Sequence, residues 1–256
     1  MVKEDKRANH ALRMKGEHPA HPKPAAQVAC AWLNSPRDKI AHANESFFAA
    51  VFRAKYDDMN DDLQSLIAEM RKCRLCAAEM ERAPNPVFQL SDTARILVAG
   101  QAPGNLADTT GTPFNDPSGD RLRDWMGVSR EEFYDAAKVA ILPMGLCFPG
   151  YDAKGGDLPP MKRCAEVWRQ RTLDLMPRME VVLLVGGYAQ RWHLGQRVGK
   201  TLTETVANWK SFASDHMFTL PHPSWRNTAW LKRNPWFEAD VLPELRGAIR
   251  AALSES

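Results

Sequence analysis

Short apolar runs bounded by turn-forming residues recur along the middle of the chain: "RILVA" at Arg95–Ala99, "KVAILP" at Lys138–Pro143, "EVVLLVGG" at Glu180–Gly187 and "MFTL" at Met217–Leu220. Runs of this length without polar alternation are the mark of strands buried on both faces. Between them, apolar residues recur at helical spacing over Asp120–Met126, Ser129–Ala137, about Met161–Met176 and Tyr188–Leu194, with a last helical stretch at Pro235–Ala252. Four strands separated by helices predict an α/β protein: a single three-layer α/β/α domain around a central four-stranded, mostly parallel sheet. Ahead of the sheet, a helix is expected from near Asn60, with Asn and Asp caps and Leu63, Leu66, Ile67 and Met70 on one face. Weaker helical stretches fall at Pro24–Leu33 and Ile40–Tyr56. Residues 1–25, rich in Lys, His, Pro and Ala, predict a mobile arm, so that the folded domain is 26–256.

A chain of 256 residues can build one substantial core, and 44% hydrophobic with 25% charged residues is ordinary for a globular protein. The longest apolar run is far shorter than the roughly 20 residues a membrane-spanning helix needs, and no secretory signal pattern opens the sequence. The expectation is a soluble, cytoplasmic monomer with no membrane partner. A net charge of +3 is small; its placement says more. Between His216 and Phe237 the only full charges are Arg226, Lys232 and Arg233, interleaved with Trp225, Trp230 and Trp236. Such interleaving suits a phosphate backbone with exposed bases, while the plainer alternative packs these tryptophans into the core.

In an open α/β sheet, ligands sit beyond the carboxyl ends of the strands. Two loops fall there: "GQAPG" at Gly100–Gly104, and "PHPSWRN" at Pro221–Asn227. Gly100, Pro103 and Gly104 let the first loop turn sharply with its N–H donors free. Pro221 and Pro223 restrict the backbone around His222, and an imidazole so held opposite a donor-rich loop is a plausible anion stabiliser. Separately, Cys73 and Cys76 form a C-x-x-C, and Cys147 and Cys164 follow with sixteen residues between them. In an intracellular protein this reads as a zinc or iron–sulfur site. Spacing alone does not choose between those metals, and two ordinary buried thiols remain the alternative for Cys147 and Cys164. Cys30 has no partner in the pattern.

Together and in this order, "GQAPG", "TPF" at Thr112–Phe114 and "HPS" at His222–Ser224 resemble the two active-site motifs of the uracil-DNA glycosylase superfamily. The resemblance is strongest to the branch that carries a four-cysteine iron–sulfur cluster, whose first motif reads Gly-Glu-Ala-Pro-Gly, then an acidic residue, then Arg-Pro-Phe. Asp108 stands in the acidic place, and "EVVLLVGGYAQRWHLG" resembles the third strand and helix of that family. The likeness spans about Leu63 to Arg250.

It implies a repair enzyme that flips uracil out of single- or double-stranded DNA and hydrolyses its N-glycosidic bond. Phe114 then stacks on the base, and His222 donates to the uracil carbonyl that gains charge. Gly100, Ala102, Pro103 and Gly104 line the pocket, and Ser224 holds a flanking phosphate. Arg226, Trp225 or Asn227 fills the gap in the stack. A 4Fe-4S cluster falls on Cys73, Cys76, Cys147 and Cys164.

Two departures stand out. Gln101 replaces the branch's Glu and Ala102 stands where other members carry a water-activating Asp, leaving Asp108 or Gln101 to orient water. No Asn precedes Cys147 to read uracil, leaving the backbone around Met144 and Gly145. These departures favour a rival, a module that binds uracil or abasic DNA, even covalently, without turnover. A nucleotide-binding or redox α/β protein is opposed by the absence of a Gly-Lys-Ser/Thr phosphate loop and of G-x-G-x-x-G.

Overall fold

The computed structural model describes residues 59–254. The expected N-terminal arm, the helical stretches at 24–33 and 40–56, and Cys30 lie outside the described residues. Four strands, β1 (Ile96–Ala99), β2 (Val139–Ile141), β3 (Val181–Val185) and β4 (Met217–Leu220), form one sheet in the order β2-β1-β3-β4. All three pairings are parallel, with Leu97 opposite Ala140, Val98 opposite Leu183 and Leu184 opposite Thr219. Every strand residue is buried, which is why these runs show no polar alternation.

Alternate strand residues feed two separate cores. Leu97, Ala99, Val182 and Leu184 pack on one face against Leu63, Leu66 and Met70 of α1 (residues 59–71). Ile96, Val98, Leu183 and Val185 pack on the other against Leu122 and Trp125 of α3 (Pro117–Met126), Phe133 of α4 (Arg130–Tyr134), and Leu245 and Ile249 of α10 (Leu242–Ser254). The first face is completed by α5, which begins at Lys162–Cys164, widens into a π turn at Ala165–Arg169 and closes as Gln170–Asp174, and by α6 (Gly187–Leu194). The expected three-layer α/β/α domain is borne out, with the sheet parallel throughout.

Several boundaries differ from the sequence expectation for identifiable reasons. The helix expected from Asp120 starts at Pro117, because Asp116 accepts the Gly119 N–H at 2.9 Å and proline fits the first helical position. The helix expected over Ser129–Ala137 ends at Tyr134, opened by a capping box of Ser129 with Glu132. Four short helices have no sequence counterpart in the expectation: α2 (Asn105–Thr110), α7 (Leu202–Ala207), α8 (Lys210–Ala213) and α9 (Thr228–Arg233). For α7 the signal is present, since Thr201 and Glu204 form a second capping box.

The chain runs from β1 outward to β2, returns past β1 to β3 and continues to β4. The direction of winding therefore reverses between β1 and β3, which opens a crevice at their carboxyl ends. Two buried polar side chains fix this end of the sheet. Gln190 donates to Leu184 O at 3.2 Å and to Leu220 O at 2.9 Å, tying β3 to β4. Arg169, only 1% exposed, donates to Leu142 O just beyond β2 at 2.9 Å and to His193 Nε2 on α6 at 2.7 Å. Its guanidinium also lies over the Trp192 ring, 5.1 Å from the centroid. Burial pushes the Arg169 pKa down to about 9 and that of His193 well below the ordinary imidazole value. His193 is therefore a neutral acceptor, its proton on Nδ1.

Two outcomes follow from this pair. Arg169→Met strands the Leu142 carbonyl and the His193 nitrogen without a donor, and is expected to cost about 2–4 kcal/mol of stability, read from denaturant unfolding. Folded His193 stays neutral, whereas the unfolded imidazole takes up a proton below about pH 6.5. Stability is thus full above that pH and is expected to fall as pH drops below it, by up to about 1.4 kcal/mol per unit, with a shallower slope in His193→Gln.

Candidate active site

The first motif loop leaves the carboxyl end of β1 and the second that of β4, so the two stand at the same edge of the sheet on either side of β3. Gly100 to Gly104 leave β1 and lead into α2, and no described acceptor takes the backbone N–H of Gln101, Ala102 or Gly104. The loop's carbonyls are anchored instead: Gly100 O accepts from the Met144 N–H and Gln101 O from the Gly145 N–H, each at 2.9 Å. The segment beyond β2 is thereby stitched to the first loop. The N–H groups of Met144 and Gly145 are spent in doing so, and the Met144 side chain lies in the core. Their carbonyls accept from no described donor. Gly145 has to be glycine, since a Cβ there falls 2.9 Å from Pro160 Cβ.

Phe114 sits at the crevice wall in the left-handed backbone region, with φ 52°, a conformation uncommon outside glycine. Its carbonyl is clamped by Tyr134 Oη at 3.1 Å and Arg123 Nη1 at 3.3 Å. Gly119 lies directly against that carbonyl: a Cβ on Gly119 falls 1.7 Å from the oxygen. The ring is half-buried, edge-on to Phe133 at 6.3 Å and close to Gly100, where a Cβ falls 3.3 Å from the ring. It therefore forms a ledge over the first loop, backed by the core yet partly open.

His222 follows β4 between two buried prolines and is itself partly buried. Its Nδ1 accepts the Ser224 N–H at 3.2 Å, and its carbonyl accepts from Asn227 Nδ2 at 2.7 Å. An accepting Nδ1 puts the ring proton on Nε2. Burial lowers the pKa of the imidazole, opposed by the fields of Asp116 and Asp157. The ring is thus a neutral Nε2–H donor near neutral pH, a protonation state that the sequence did not determine.

The remaining sequence-derived positions divide clearly. Asp108 is turned away to Arg82, whose Nη1 lies 3.5 Å from its carboxylate, and Asn85 donates to its carbonyl at 2.6 Å. Gln101 donates to Leu158 O at 3.4 Å. In the second loop, Asn227 is committed to the His222 carbonyl and Arg226 reaches Gly155 O at 3.5 Å. Arg121 of α3 holds Ser224 O at 3.0 Å. Trp225 is 74% exposed, with Arg226 stacked over it at 5.3 Å. Trp230 and Trp236, by contrast, pack against the second core. Asp116, Asp157, Arg121 and the Arg123–Tyr134 clamp escaped the sequence reading. Only Asp116 left a usable trace, as a cap ahead of Pro117.

Cys73, Cys76, Cys147 and Cys164 all line a single cavity enclosing about 360 Å³, part of it open to solvent. Leu75, Met80, Pro84, Pro86, Leu146 and Met161 make the rest of its wall largely apolar. Cys73 lies two residues beyond α1, its N–H bonded to Met70 O, Cys76 precedes a 3₁₀ turn at Ala77–Glu79, and Cys164 closes the first turn of α5, its sulfur accepting the Leu146 N–H at 3.3 Å. Burial and the neighbouring thiols push Cys147 up to about 12; burial above all pushes Cys164 up to about 11. Among the described residues, no three His, Cys, Asp or Glu side chains are grouped so as to hold a single metal ion. Gly145 lines this cavity as well as bonding to the first loop, so cavity and crevice share a wall.

No helix among the described residues is long and apolar enough to cross a membrane. Residues 87–246 match the family model described as the uracil DNA glycosylase superfamily. That match takes in both motif loops, all four strands and the crevice between them, and on its strength the chain belongs to the uracil DNA glycosylase superfamily.

Proposed function

We propose that this protein hydrolyses the N-glycosidic bond of uracil in DNA and leaves an abasic site. The observation that carries the reading is the state of His222: a neutral ring, fixed by Ser224 with Nε2–H to give, facing a crevice whose opposite lip offers unpaired backbone N–H groups. A donor placed where negative charge develops stabilises the transition state, and a neutral donor does so without binding anions indiscriminately. The target nucleotide enters extrahelically. Phe114 takes the face of the base, Nε2–H of His222 bonds the carbonyl oxygen that becomes anionic, and the first-loop N–H groups assist. The exposed Trp225 fills the vacated place in the stack, while Arg226 and Ser224 serve the flanking backbone.

Selection of uracil without the family's Asn falls to the carbonyls of Met144 and Gly145, since their N–H groups are already used. A carbonyl oxygen accepts from N3–H of uracil and repels the lone pair at N3 of cytosine.

The four cysteines fit an iron–sulfur cluster, which supports reading this chain as one of the four-cysteine branch. All four thiols line one largely apolar cavity, surroundings that suit a cluster of iron and sulfide held by thiolates. Cys73, Cys76, Cys147 and Cys164 would hold it, and when bound it supplies iron–thiolate links among α1, the segment beyond β2 and α5. Leu146 donates its N–H to the Cys164 sulfur, the kind of contact that tunes such ligands.

The second reading, a module that binds uracil or abasic DNA without turnover, is favoured by one observation: neither Gln101 nor the Arg82-paired Asp108 offers a free base to water. Limiting protein incubated with an oligonucleotide carrying one uracil separates the two. Several products per protein are expected, whereas product capped at one equivalent, or none, supports the binder. His222→Ala is expected to slow single-turnover excision about 10²-fold or more, and wild-type rates in that variant remove the imidazole from the mechanism. Protein prepared without air is expected to be brown and to contain iron, and Cys73→Ser to lose both colour and iron; colourless, iron-free wild-type protein overturns the cluster.

A further inference from the structure

The segment between Cys147 and Cys164, featureless in sequence, folds into a small hairpin that leans on both motif loops. Leu158 N–H bonds Gly150 O at 2.9 Å, Asp152 N–H bonds Gly156 O at 2.7 Å, and Tyr151 pairs with Asp157 in antiparallel fashion. Asp152 closes the turn, its Oδ1 accepting the N–H groups of Lys154 and Gly156, each at 2.8 Å. Gly150 and Gly155 supply the left-handed positions, at φ 94° and 74°. One strand of this hairpin is held by Gln101 through Leu158 O, its tip by Arg226 through Gly155 O, and its exit by Pro160 packed beside Gly145.

These contacts hold Asp157, the residue before Leu158, between Gln101 of the first motif loop and Arg226 of the second, within range of the field of His222. The titratable and charged groups around Asp157 are Arg226 and the His222 imidazole, with Asp116 and Asp152 as like charges. Of the three carboxylates that could serve the site, two are already engaged. Asp108 pairs with Arg82, and Asp116 caps α3 through Oδ1. Among the described residues, the Asp157 side chain makes no hydrogen bond and no ion pair. The residue is exposed overall, yet partial burial of its carboxyl group pushes the pKa up against the opposing pull of Arg226 and His222. A carboxylate of raised basicity with no structural duty is suited to proton transfer.

We propose that Asp157 is the catalytic base of this site, supplied by the hairpin in place of the carboxylate that the first motif lacks. The inference rests on the proposed uracil excision. As the N1–C1′ bond breaks, its electron pair leaves with uracil, and the charge spreading to the carbonyl oxygen is met by Nε2–H of His222. Ionised Asp157 balances the positive charge on the sugar. Water then forms the new bond to C1′, and its proton passes to the Asp157 carboxylate, which releases it to solvent.

The test compares wild type, Asp157→Asn, Asp157→Glu and Asp116→Asn as full chains, in single-turnover excision of uracil from an oligonucleotide between acidic and neutral pH. DNA affinity is measured on an abasic-site analogue, and the His222 imidazole is titrated by NMR. Wild type should speed up as pH rises through the Asp157 titration. Asp157→Asn should be slower by about 10²-fold or more, lose that acid limb, bind the analogue as wild type does, and show a lowered His222 pKa. Asp157→Glu should recover part of the rate, and Asp116→Asn should keep the acid limb. Asp157→Asn with wild-type rate and acid limb overturns the assignment while leaving uracil excision standing. A His222 titration unchanged in Asp157→Asn overturns the placement of the carboxylate beside the imidazole. Wild-type protein without activity on uracil removes the proposed function, and the assignment goes with it.

Discussion

A guanidinium sealed inside the protein dictates where three elements meet. Arg169 has no water to turn to, so its donors must be matched by the Leu142 carbonyl and by His193, and those partners lie beyond β2 and on α6. Leaving any of them unpaired costs more than the pair itself contributes, so α5 cannot slide along the sheet without breaking all of them at once. The π turn at Ala165–Arg169 belongs to this arrangement: it carries Trp168 and Arg169, consecutive residues, both into the interior. Because Cys164 immediately precedes that turn and Pro143–Gly145 immediately follow Leu142, one buried side chain sets the spacing between the cysteine cavity and the crevice.

From that fixed corner the site is assembled largely by main chain. Gly100 and Gln101 receive the backbone of Met144 and Gly145, Ser224 steers the imidazole of the residue two before it, and the hairpin at 150–160 is gripped by one side chain from each motif loop. Backbone bonds of this kind hold position within narrow limits, which a site that must meet a charge as it develops requires. The two functions of the loop residues also separate cleanly. Carbonyls bind the protein to itself, while the N–H groups of Gln101, Ala102 and Gly104 meet no acceptor among the described residues.

What the sequence made legible is what local pattern determines. The strands at 96–99, 139–141, 181–185 and 217–220 are short, almost wholly apolar runs, so burial on both faces was legible, and their alternation with helices pointed to parallel pairing. Gly100–Gly104, Phe114 and His222 were readable because their spacing matches a family pattern, and the four cysteines because thiols are scarce. The hairpin was not readable, since its anchors on Gln101 and Arg226 lie some 50 to 70 residues away in sequence. The same holds for the base candidates. Asp108 looked suitable by position, yet Arg82, from a segment with no regular pattern, turns it aside. The protonated nitrogen of His222 depends on one backbone N–H, which no residue type encodes.

Phe114 shows what such a construction entails. Its left-handed backbone is held by Tyr134, Arg123 and the bare surface of Gly119, while its ring lies edge-on to Phe133 and close to Gly100. The strain, of the order of 1–3 kcal/mol, is met once, during folding. If the proposed function holds, a ring so placed has little freedom to adapt to a base of another shape. On that reading the platform is a gauge rather than a glove: it would report whether a flat ring has come to the correct depth, and leave the identity of that ring to the polar groups around its edge.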